Sequence, residues 1–318
     1  AWKRDITYHT FIHESVRKRF LEGFHYDAHP MGMLVSAVAA LSTFYLDAKG
    51  IFDKESRQKQ IIRLIAKMPT LAAAAHRFSV GMPFVYPDNS LDFTSNFLSM
   101  MWKVAEPRFE ADPVLAKALD LLFILHADHE QNCSTTAMRV VGSSHADPYS
   151  ATAAAAAALY GPRHGGANEQ VIHMLLEAGT AERALALVKE RLDKKIKIPG
   201  FGHRVYRTED PRATHLRAMS EELGRRTGHL DLYLTSKQIE AEMKQLKALN
   251  ANVDFYSAST YYSLGIPIDL FTPIFAVSRM AGWTAHVLEQ YRNNRLIRPR
   301  ADYTGDPVGK SWTPIQAR

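Results

Sequence analysis

Three residues in separate segments of the chain have the chemistry needed to move a proton beside a carbonyl group. His164 lies in GPRHGGANE, His203 in GFGHRVY and Asp254 in NVDFYS. One such group can remove a carbon-bound proton, a second can stabilise the oxygen that becomes an enolate, and a third can polarise an electrophile. Each alone also has an ordinary structural explanation, as a turn histidine or a capping aspartate. Together they favour proton abstraction next to a carbonyl.

The sequence around each of these residues predicts its protonation state. His164 comes just before a predicted helix, where the positive end of the helix dipole lowers the pKa of a histidine and keeps its ring neutral. Glycines before His203 let a ligand approach the backbone closely. Val253 and Phe255 flank Asp254, and partial burial there is expected to raise its pKa toward that of a general base.

An arginine lies where a helix should begin, in the segment PGFGHRVYRTEDPRATHLRAM. Asp210 is a suitable cap, Pro211 suits the first helical position, and Gly224 is the predicted helix end. Arg212 then falls in the first turn, where the helix dipole disfavours a cation. A bound anion, held by the guanidinium and by backbone N–H groups, would reverse that effect. The alternative is a solvated arginine or a surface ion pair.

Helical periodicity dominates the rest of the chain, so the predicted fold class is all-α. Thr272 and Pro273 open one predicted helix, and Phe275, Arg279 and His286 share a face of it. The alanine-rich segment ATAAAAAALYG predicts a closely packed core helix. Two short segments, 195–198 (KIKI) and 252–255 (NVDF), are predicted to be extended and to form at most one small hairpin.

Composition excludes several classes of protein. The 318 residues are 46% hydrophobic and 23% charged, which is typical of a globular protein. No stretch suits a membrane span, and we find no signal peptide. The single cysteine, Cys133, rules out an internal disulfide and fits a reducing compartment, so we expect the cytoplasm. The net charge of +6 suits anionic partners, but no nucleic-acid motif is present.

Three apparent motifs do not support a cofactor or metal site. GFGHRV has Val205 where a dinucleotide fingerprint needs its third glycine, and GDPVGKS is one residue short of a P-loop. The spacing of His126 and His129 could suit a metal, but no HExxH motif accompanies them. The sequence therefore predicts neither a metal nor a redox cofactor.

Five motifs together resemble one enzyme family. HADHEQNCST, YGPRHGGANE, GFGHRVY followed by DPRA, NVDFYS and RPRADYTG occur in the order and approximate spacing of the citrate synthases. The sequence resembles the bacterial-type members along essentially its whole length. The resemblance implies condensation of oxaloacetate with acetyl-CoA as co-substrate, followed by hydrolysis of the citryl-CoA thioester, without a tightly bound cofactor.

The resemblance also implies the architecture. It implies an all-helical homodimer, with a hexamer as an open alternative, in which a large and a small domain close over the substrates. We place the large domain at 1–164 and 261–318, and the small domain at 165–260. Family members normally carry a further segment ahead of ITYHTFIHE, and in bacterial-type enzymes it contributes to allosteric and assembly surfaces.

The resemblance assigns a role to each chemical residue. Asp254 matches the base that takes the acetyl methyl proton. His164 matches the hydrogen-bond donor to the thioester oxygen, and His203 the group that polarises the oxaloacetate ketone and later assists hydrolysis. The residues that match ligands of oxaloacetate and citrate are His129, Arg212 and Arg279.

Further substrate contacts are implied in the same way. Phe275 would line the same pocket, and Arg298 matches the arginine that reaches into the neighbouring subunit's site. The segment that matches the adenine-recognition loop of CoA consists of Ile196, Lys197, Ile198, Pro199, Gly200, Phe201 and Gly202. Arg207 is a candidate for a CoA phosphate.

Two other functions remain compatible with these residues. One is 2-methylcitrate synthase, which uses propionyl-CoA, since an extra methylene changes binding by only about 1–3 kcal/mol. HADHEQN favours the citrate branch. The other is a non-catalytic protein that binds CoA or di-acids, which has no need for a base beside the acyl methyl group.

Overall fold

The computed structural model describes residues 2–306, 309 and 311–317, and most of them are helical. The α-helices are α1 (Trp2–Thr7), α2 (Pro30–Leu41), α3 (Lys54–Ser79), α4 (Phe93–Trp102), α5 (Pro113–His126), α6 (Cys133–Ser143), α7 (Pro148–Leu159), α8 (Ala167–Ala178), α9 (Ala181–Asp193), α10 (Pro211–Thr227), α11 (Leu230–Lys247), α12 (Val253–Ser263) and α13 (Phe271–Arg292). Short 3-10 or π turns span Val16–Phe20, Leu21–Gly23, Leu46–Lys49, Ile268–Leu270 and Ile315–Ala317. These described residues contain no β-strand, which confirms the all-α prediction. The GDPVGKS segment includes Pro307, Val308 and Lys310, which lie outside the described residues.

Polar side chains fix where the helices that carry the chemical residues begin. Asn132 caps α6, Asp210 caps α10 and Asn252 caps α12, and each accepts a hydrogen bond from a first-turn backbone N–H. The predicted start of α10 is confirmed, but its predicted end is wrong. Gly224 lies inside the helix, where a Cβ would come within 3.1 Å of the carbonyl oxygen of His229. The helix ends instead at Gly228, with a φ of +80°.

The two segments predicted to be extended do not form a hairpin. The KIKI segment is a loop that follows α9, and most of NVDF belongs to α12. One isolated antiparallel bridge joins Phe201 to Ala251. The backbone bonds from Asn252 N to Gly200 O (2.9 Å) and from Gly202 N to Asn250 O (3.0 Å) flank it. The prediction failed because alternation over four residues cannot separate a strand from a loop beside a helix cap.

The helix α13 lies at the centre of the large helical group. It contacts α3, α5, α6, α7 and α8, and it buries residues around most of its circumference. The alanine-rich α7 packs against α2 and α6, which confirms its predicted core position. None of the described helices has the length and apolarity needed to cross a bilayer.

A second group of helices, α8 to α12, packs mainly within itself. α10 contacts α11 and α12, α11 contacts α9, and α12 contacts α8. This group meets the remainder of the fold through α8 against α13 and through α10 against α5. The chemical residues lie where the two groups meet.

Candidate active site

A cavity of about 570 Å³ brings together residues that are far apart in the sequence. The predicted site residues that line it are His129, His164, Gly202, His203, Arg212, Asp254, Phe275 and Arg279. One wall comes from the loops before α6 and α8 together with α13. The other comes from the 202–205 loop and the first turns of α10 and α12. The two predicted catalytic histidines, the Asp254 carboxylate and the guanidinium groups of Arg212 and Arg279 thus share one volume.

His164 is held so that one particular ring nitrogen carries the proton. Its Nε2 faces the backbone N–H of Ser134 at 3.3 Å and the Ser134 hydroxyl at 2.8 Å. Because the amide can only donate, Nε2 must accept, and the proton of the neutral ring lies on Nδ1. Burial, with the positive charge of Arg279 adding to it, lowers the pKa of His164 to about 4. The ring is therefore a neutral hydrogen-bond donor at physiological pH.

The His164 ring contacts the N-terminus of α6 rather than that of α8, which the sequence predicted. His164 does precede α8, whose N-cap is Gly166. The N–H group that reaches the ring belongs instead to Ser134, in the first turn of α6. The neutral state of His164 therefore rests on burial and Arg279 rather than on α8, and the first turn of α6 sets which nitrogen carries the proton.

His203 has the opposite tautomer. Its Nδ1 accepts hydrogen bonds from the backbone N–H groups of Val205 (2.9 Å) and Tyr206 (3.1 Å). The proton of the neutral ring therefore lies on Nε2. Burial, followed by the nearby His129, lowers the pKa of His203. The centres of the His129 and His203 rings are 4.9 Å apart.

Asp254 lies in the first turn of α12, where it touches the cavity and is otherwise surrounded by protein. Asn252 caps the turn by accepting from the Asp254 N–H at 3.0 Å. Burial raises the pKa of Asp254 to about 6, although the positive charge of Arg212 opposes that effect. At neutral pH Asp254 is thus ionised, and its carboxylate is a stronger base than that of an aspartate in water.

Arg279, one of the arginines that line the cavity, is buried and held by the protein. Arg279 is 1% exposed, donates through Nε to the carbonyl oxygen of His126 at 2.7 Å, and lies 4.8 Å from the centre of the Phe275 ring. Its Nη1 is buried and has no hydrogen-bond partner within the described part of the chain. Burial lowers the pKa of Arg279 to about 10, so it remains charged. His129 Nε2 is likewise buried without a partner among the described residues.

Arg212 is neutralised by the residue that caps its own helix. Its Nε and Nη2 donate to the two carboxylate oxygens of Asp210, at 3.0 and 2.8 Å. An ion pair therefore explains a cation at this helix start, but the pair is buried, since the Asp210 side chain is only 1% exposed. Arg212 also borders the cavity.

Asp210 joins the two helix starts that carry Arg212 and Asp254. Besides Arg212, its carboxylate accepts from the backbone N–H of Val253 at 3.2 Å. Burial alone would raise the pKa of Asp210, but the hydrogen bonds and charge of Arg212 outweigh it and hold that pKa below its usual range. The carboxylate therefore stays ionised in the fold.

The loop that carries His129 lies against a glycine of α13. The backbone N–H of Gly282 donates to the carbonyl oxygen of Ala127 at 3.0 Å. A Cβ at position 282 would be 2.4 Å from the carboxylate of Asp128, so only glycine allows this approach. Glu130, with a φ of +51°, then turns the chain back toward α6.

Several predicted residues lie outside the cavity lining. Arg207 and Arg298 are exposed. Of the predicted CoA loop, only Gly202 lines the cavity, while Ile198 and Gly200 are buried beneath it. Gly200 has a φ of +82°, and a Cβ there would meet the Phe255 ring at 2.8 Å. The loop shape thus depends on that glycine.

The alternative of a metal site at His126 and His129 gains no support from the structure. His126 is fully buried, and its Nδ1 lies 2.9 Å from the carbonyl oxygen of Leu122. Burial lowers the pKa of His126 to about 3. Within the described residues, no group of three or more His, Cys, Asp or Glu side chains could hold a metal ion.

Comparison with known proteins decides the family. The family described as citrate synthase, C-terminal domain, matches residues 1–300. The peroxisomal citrate synthase of Dictyostelium discoideum is 44% identical over 332 residues, which cover all of this chain and 67% of that protein. The chain belongs to the citrate synthase family. A second citrate synthase of the same organism is 43% identical over 335 residues and is covered to 64%.

A solved citrate synthase confirms the fold. The enzyme of Thermoplasma acidophilum, crystallised with carboxymethyl coenzyme A and oxaloacetate, is 30% identical, with a TM-score of 0.92. The match covers all of this chain and 83% of that one. This chain is therefore an enzyme of the citrate synthase family with the all-α citrate synthase fold. These three relatives are all named citrate synthases, so they favour neither the 2-methylcitrate branch nor a non-catalytic binder.

Sequence reasoning missed several residues that build this citrate synthase site. Ser134, which fixes the tautomer of His164, lies inside the HADHEQNCST motif, but the motif alone assigns it no role. Cys133, Arg163 and Arg204 also line the cavity. Trp283, which contacts Ser134, follows Arg279 by four residues, so helical spacing on α13 could have found it.

We predict that Asp210→Asn destabilises the fold far more than the matched change Asp112→Asn. Both aspartates cap a helix and pair with an arginine, and asparagine can still cap. Asp210 is buried, so its loss leaves the Arg212 charge unpaired and should lower the free energy of unfolding by about 3 kcal/mol. The Asp112–Arg226 pair is exposed and screened by solvent, so its loss should change stability far less.

Denaturant unfolding at several pH values checks this prediction. Because the pKa of Asp210 is lowered, its contribution is complete above about pH 4 and is lost as the pH falls further, so wild type and Asp210→Asn should converge in acid. Equal losses for the two variants at pH 7 would show that Asp210 does not hold the two helix starts together.

Proposed function

We propose that this enzyme condenses oxaloacetate with acetyl-CoA and hydrolyses the resulting citryl-CoA to citrate and CoA. The observation that carries the proposal is the pair of neutral histidines with opposite tautomers, which share a cavity with a carboxylate of raised pKa. Both histidines can donate a hydrogen bond to an oxygen, and Asp254 can accept a proton. Enolisation of a thioester and attack on a ketone need these three functions.

In the first step, the Asp254 carboxylate takes a proton from the methyl group of acetyl-CoA. The C–H electron pair forms the C=C bond of an enol, and the carbonyl π electrons move to the thioester oxygen. His164 donates its Nδ1–H to that oxygen. A neutral imidazole suits this task. Its N–H is a much weaker acid than that of an imidazolium, so its acidity lies closer to that of the enol O–H.

In the second step, the enol carbon attacks the ketone carbon of oxaloacetate. The ketone π electrons move to its oxygen, which receives the proton on Nε2 of His203. The enol oxygen returns its proton to Nδ1 of His164 as the thioester C=O re-forms, and the new C–C bond gives citryl-CoA. Water then attacks the thioester carbonyl, the C–S bond breaks, and CoA leaves as its thiol with the proton that Asp254 took from the methyl group. His203, now able to accept a proton on Nε2, assists this hydrolysis.

The carboxylates of oxaloacetate are proposed to bind Arg279, Arg212 and His129. Arg279 Nη1 and His129 Nε2 are buried hydrogen-bonding atoms without partners in the described part of the protein. Such groups are destabilising unless a ligand pairs with them. The positive charge of Arg279 favours a small dianion, and Arg212, although paired with Asp210, borders the same cavity.

The CoA moiety is proposed to lie along residues 196–202, with Arg207 at a phosphate. The loop is pinned to residues 250–252 by backbone bonds, and it meets the cavity at Gly202. Carboxymethyl coenzyme A bound with oxaloacetate in the related Thermoplasma acidophilum enzyme supports a CoA substrate here.

The compartment is a separate proposal. We infer the cytoplasm from the lone cysteine, whereas one relative is named peroxisomal. Fractionation of the source cells separates these two assignments.

We predict that CoA release, with oxaloacetate fixed, is fast with acetyl-CoA and slow with propionyl-CoA.

Asp254→Asn should lower kcat roughly a hundredfold to ten-thousandfold, because the base is lost, while oxaloacetate binding measured by calorimetry persists. In the wild type, kcat/KM should fall as the pH drops through about 6, since protonated Asp254 cannot accept a proton. Glu130→Gln, a carboxylate change at the cavity mouth with no assigned role, is the control.

A preference for propionyl-CoA would move the enzyme to the 2-methylcitrate branch. Full turnover in Asp254→Asn would show that Asp254 is not the base. If neither thioester releases CoA while oxaloacetate still binds, the protein is a non-catalytic binder.

We propose that residues 165–260 form a small domain that closes over the substrates. The support is that α8 to α12 pack mainly against one another and that the cavity lies at their border with the other helices. Small-angle scattering should show a smaller radius of gyration with oxaloacetate and carboxymethyl-CoA together than without them. Superimposable profiles would argue for a rigid cavity.

We propose a homodimer in which Arg298 completes the neighbouring subunit's site. Arg298 is exposed and does not line the cavity of its own chain. Arg298→Ala and Asp254→Asn should each be nearly inactive, but unfolding and refolding them together should restore about a quarter of wild-type activity, since half of the dimers then hold one intact site. If Arg298 acts within its own chain, the mixture stays inactive.

A further inference from the structure

Trp283 is a completely buried residue whose indole nitrogen points at the catalytic machinery. It lies on α13, is 0% exposed, and donates its indole N–H to the Ser134 hydroxyl oxygen at 3.0 Å. A core position could be filled by a phenylalanine, which has no N–H to satisfy. The indole N–H therefore has an interaction to make rather than only a volume to fill.

The hydrogen bonds around Ser134 restrict where its own proton can go. The hydroxyl oxygen has one hydrogen and two lone pairs, and one lone pair accepts from Trp283. Two acceptors lie at 2.8 Å, namely His164 Nε2 and Asn132 Oδ1. Since the indole can only donate, the hydroxyl hydrogen must point toward one of those two. Asn132 Oδ1 already accepts from the Thr135 backbone N–H as the helix cap.

We propose that Trp283 is a positioning residue that orients Ser134 so that the hydroxyl hydrogen binds His164 Nε2. This inference rests on the proposed function, in which His164 must present Nδ1–H to the thioester oxygen. Without the indole N–H, the Ser134 hydroxyl can turn and accept a proton from Nε2. That rotation allows the other tautomer, in which a lone pair on Nδ1 faces the thioester oxygen. The backbone N–H of Ser134 then remains as the one donor to Nε2, and at 3.3 Å it is the longer of the two contacts, so it favours the wild-type tautomer without excluding the other.

Substitution of Trp283 can distinguish this positioning role from ordinary packing. If the indole only fills space, Trp283→Phe changes stability and leaves the chemistry of Ser134 intact. If it acts through Ser134, the effect on catalysis requires the Ser134 hydroxyl to be present. A double-mutant cycle detects that dependence.

We expect Trp283→Phe to lower kcat about tenfold, as for loss of one buried hydrogen bond, with the KM for oxaloacetate unchanged. In a Ser134→Ala background, the same substitution should have almost no further effect on kcat. The control is Thr284→Val on the same helix, since its buried hydroxyl donates locally to the Met280 carbonyl at 2.7 Å. That variant should lose stability and keep its kcat. Equal effects of Trp283→Phe in both backgrounds, or an unchanged kcat, would overturn the proposal.

The tautomer of His164 gives a test that does not depend on turnover. The ¹⁵N chemical shifts of His164 should report Nδ1–H in the wild type and a mixture of tautomers in Trp283→Phe. If that variant does not fold, Ser134→Ala should show both the mixture and a shifted indole N–H signal of Trp283. An unaltered indole signal and tautomer there refute the inference. A protein with the expected tautomers but no release of CoA would instead refute the proposed function.

Discussion

The buried carboxylate of Asp210 is the interaction on which the geometry of the site depends. A carboxylate that loses its water is strongly destabilising unless donors replace it. Here the donors are the backbone N–H groups at two helix starts and the guanidinium of Arg212. Because both helix starts bind one carboxylate, Arg212 and Asp254 cannot move independently. The same pairing resolves the unfavourable placement of a cation in the first turn of α10.

The protonation pattern of the site at neutral pH is set by the folded surroundings of each group. Backbone N–H groups donate to Nδ1 of His203, and the backbone N–H and hydroxyl of Ser134 contact Nε2 of His164, so each neutral ring carries its proton on the other nitrogen. Burial and nearby arginines lower the pKa of both histidines, which keeps them neutral. The same burial raises the pKa of Asp254. One environment thus produces two neutral donors and a stronger base, which is what enolisation of a weakly acidic methyl group requires.

The sequence predicted what local rules control and missed what tertiary contacts decide. The cap at Asp210 and the start of α10 follow from neighbouring residues, and eight of the predicted site residues line the cavity. Gly224 misled because its small size serves packing against residues 229–230, which spacing does not reveal. Ser134 and Trp283 are 149 positions apart, so their hydrogen bond has no local signal. The predicted roles of Arg207 and Arg298 concern ligands and a second subunit, which one folded chain does not contain.

The two walls of the cavity divide the chemistry between them. α13 carries Phe275, Arg279 and Trp283 on successive turns, and it is enclosed by other helices, so it acts as a fixed support for His164 through Ser134. His203, Arg212 and Asp254 come from the group of α8 to α12. Neither wall alone holds both His164, the proposed donor to the thioester oxygen, and Asp254, the proposed base for the methyl group. If that helical group moves as proposed, the reaction becomes possible only when closure sets Asp254 against His164, and water is excluded by the same motion.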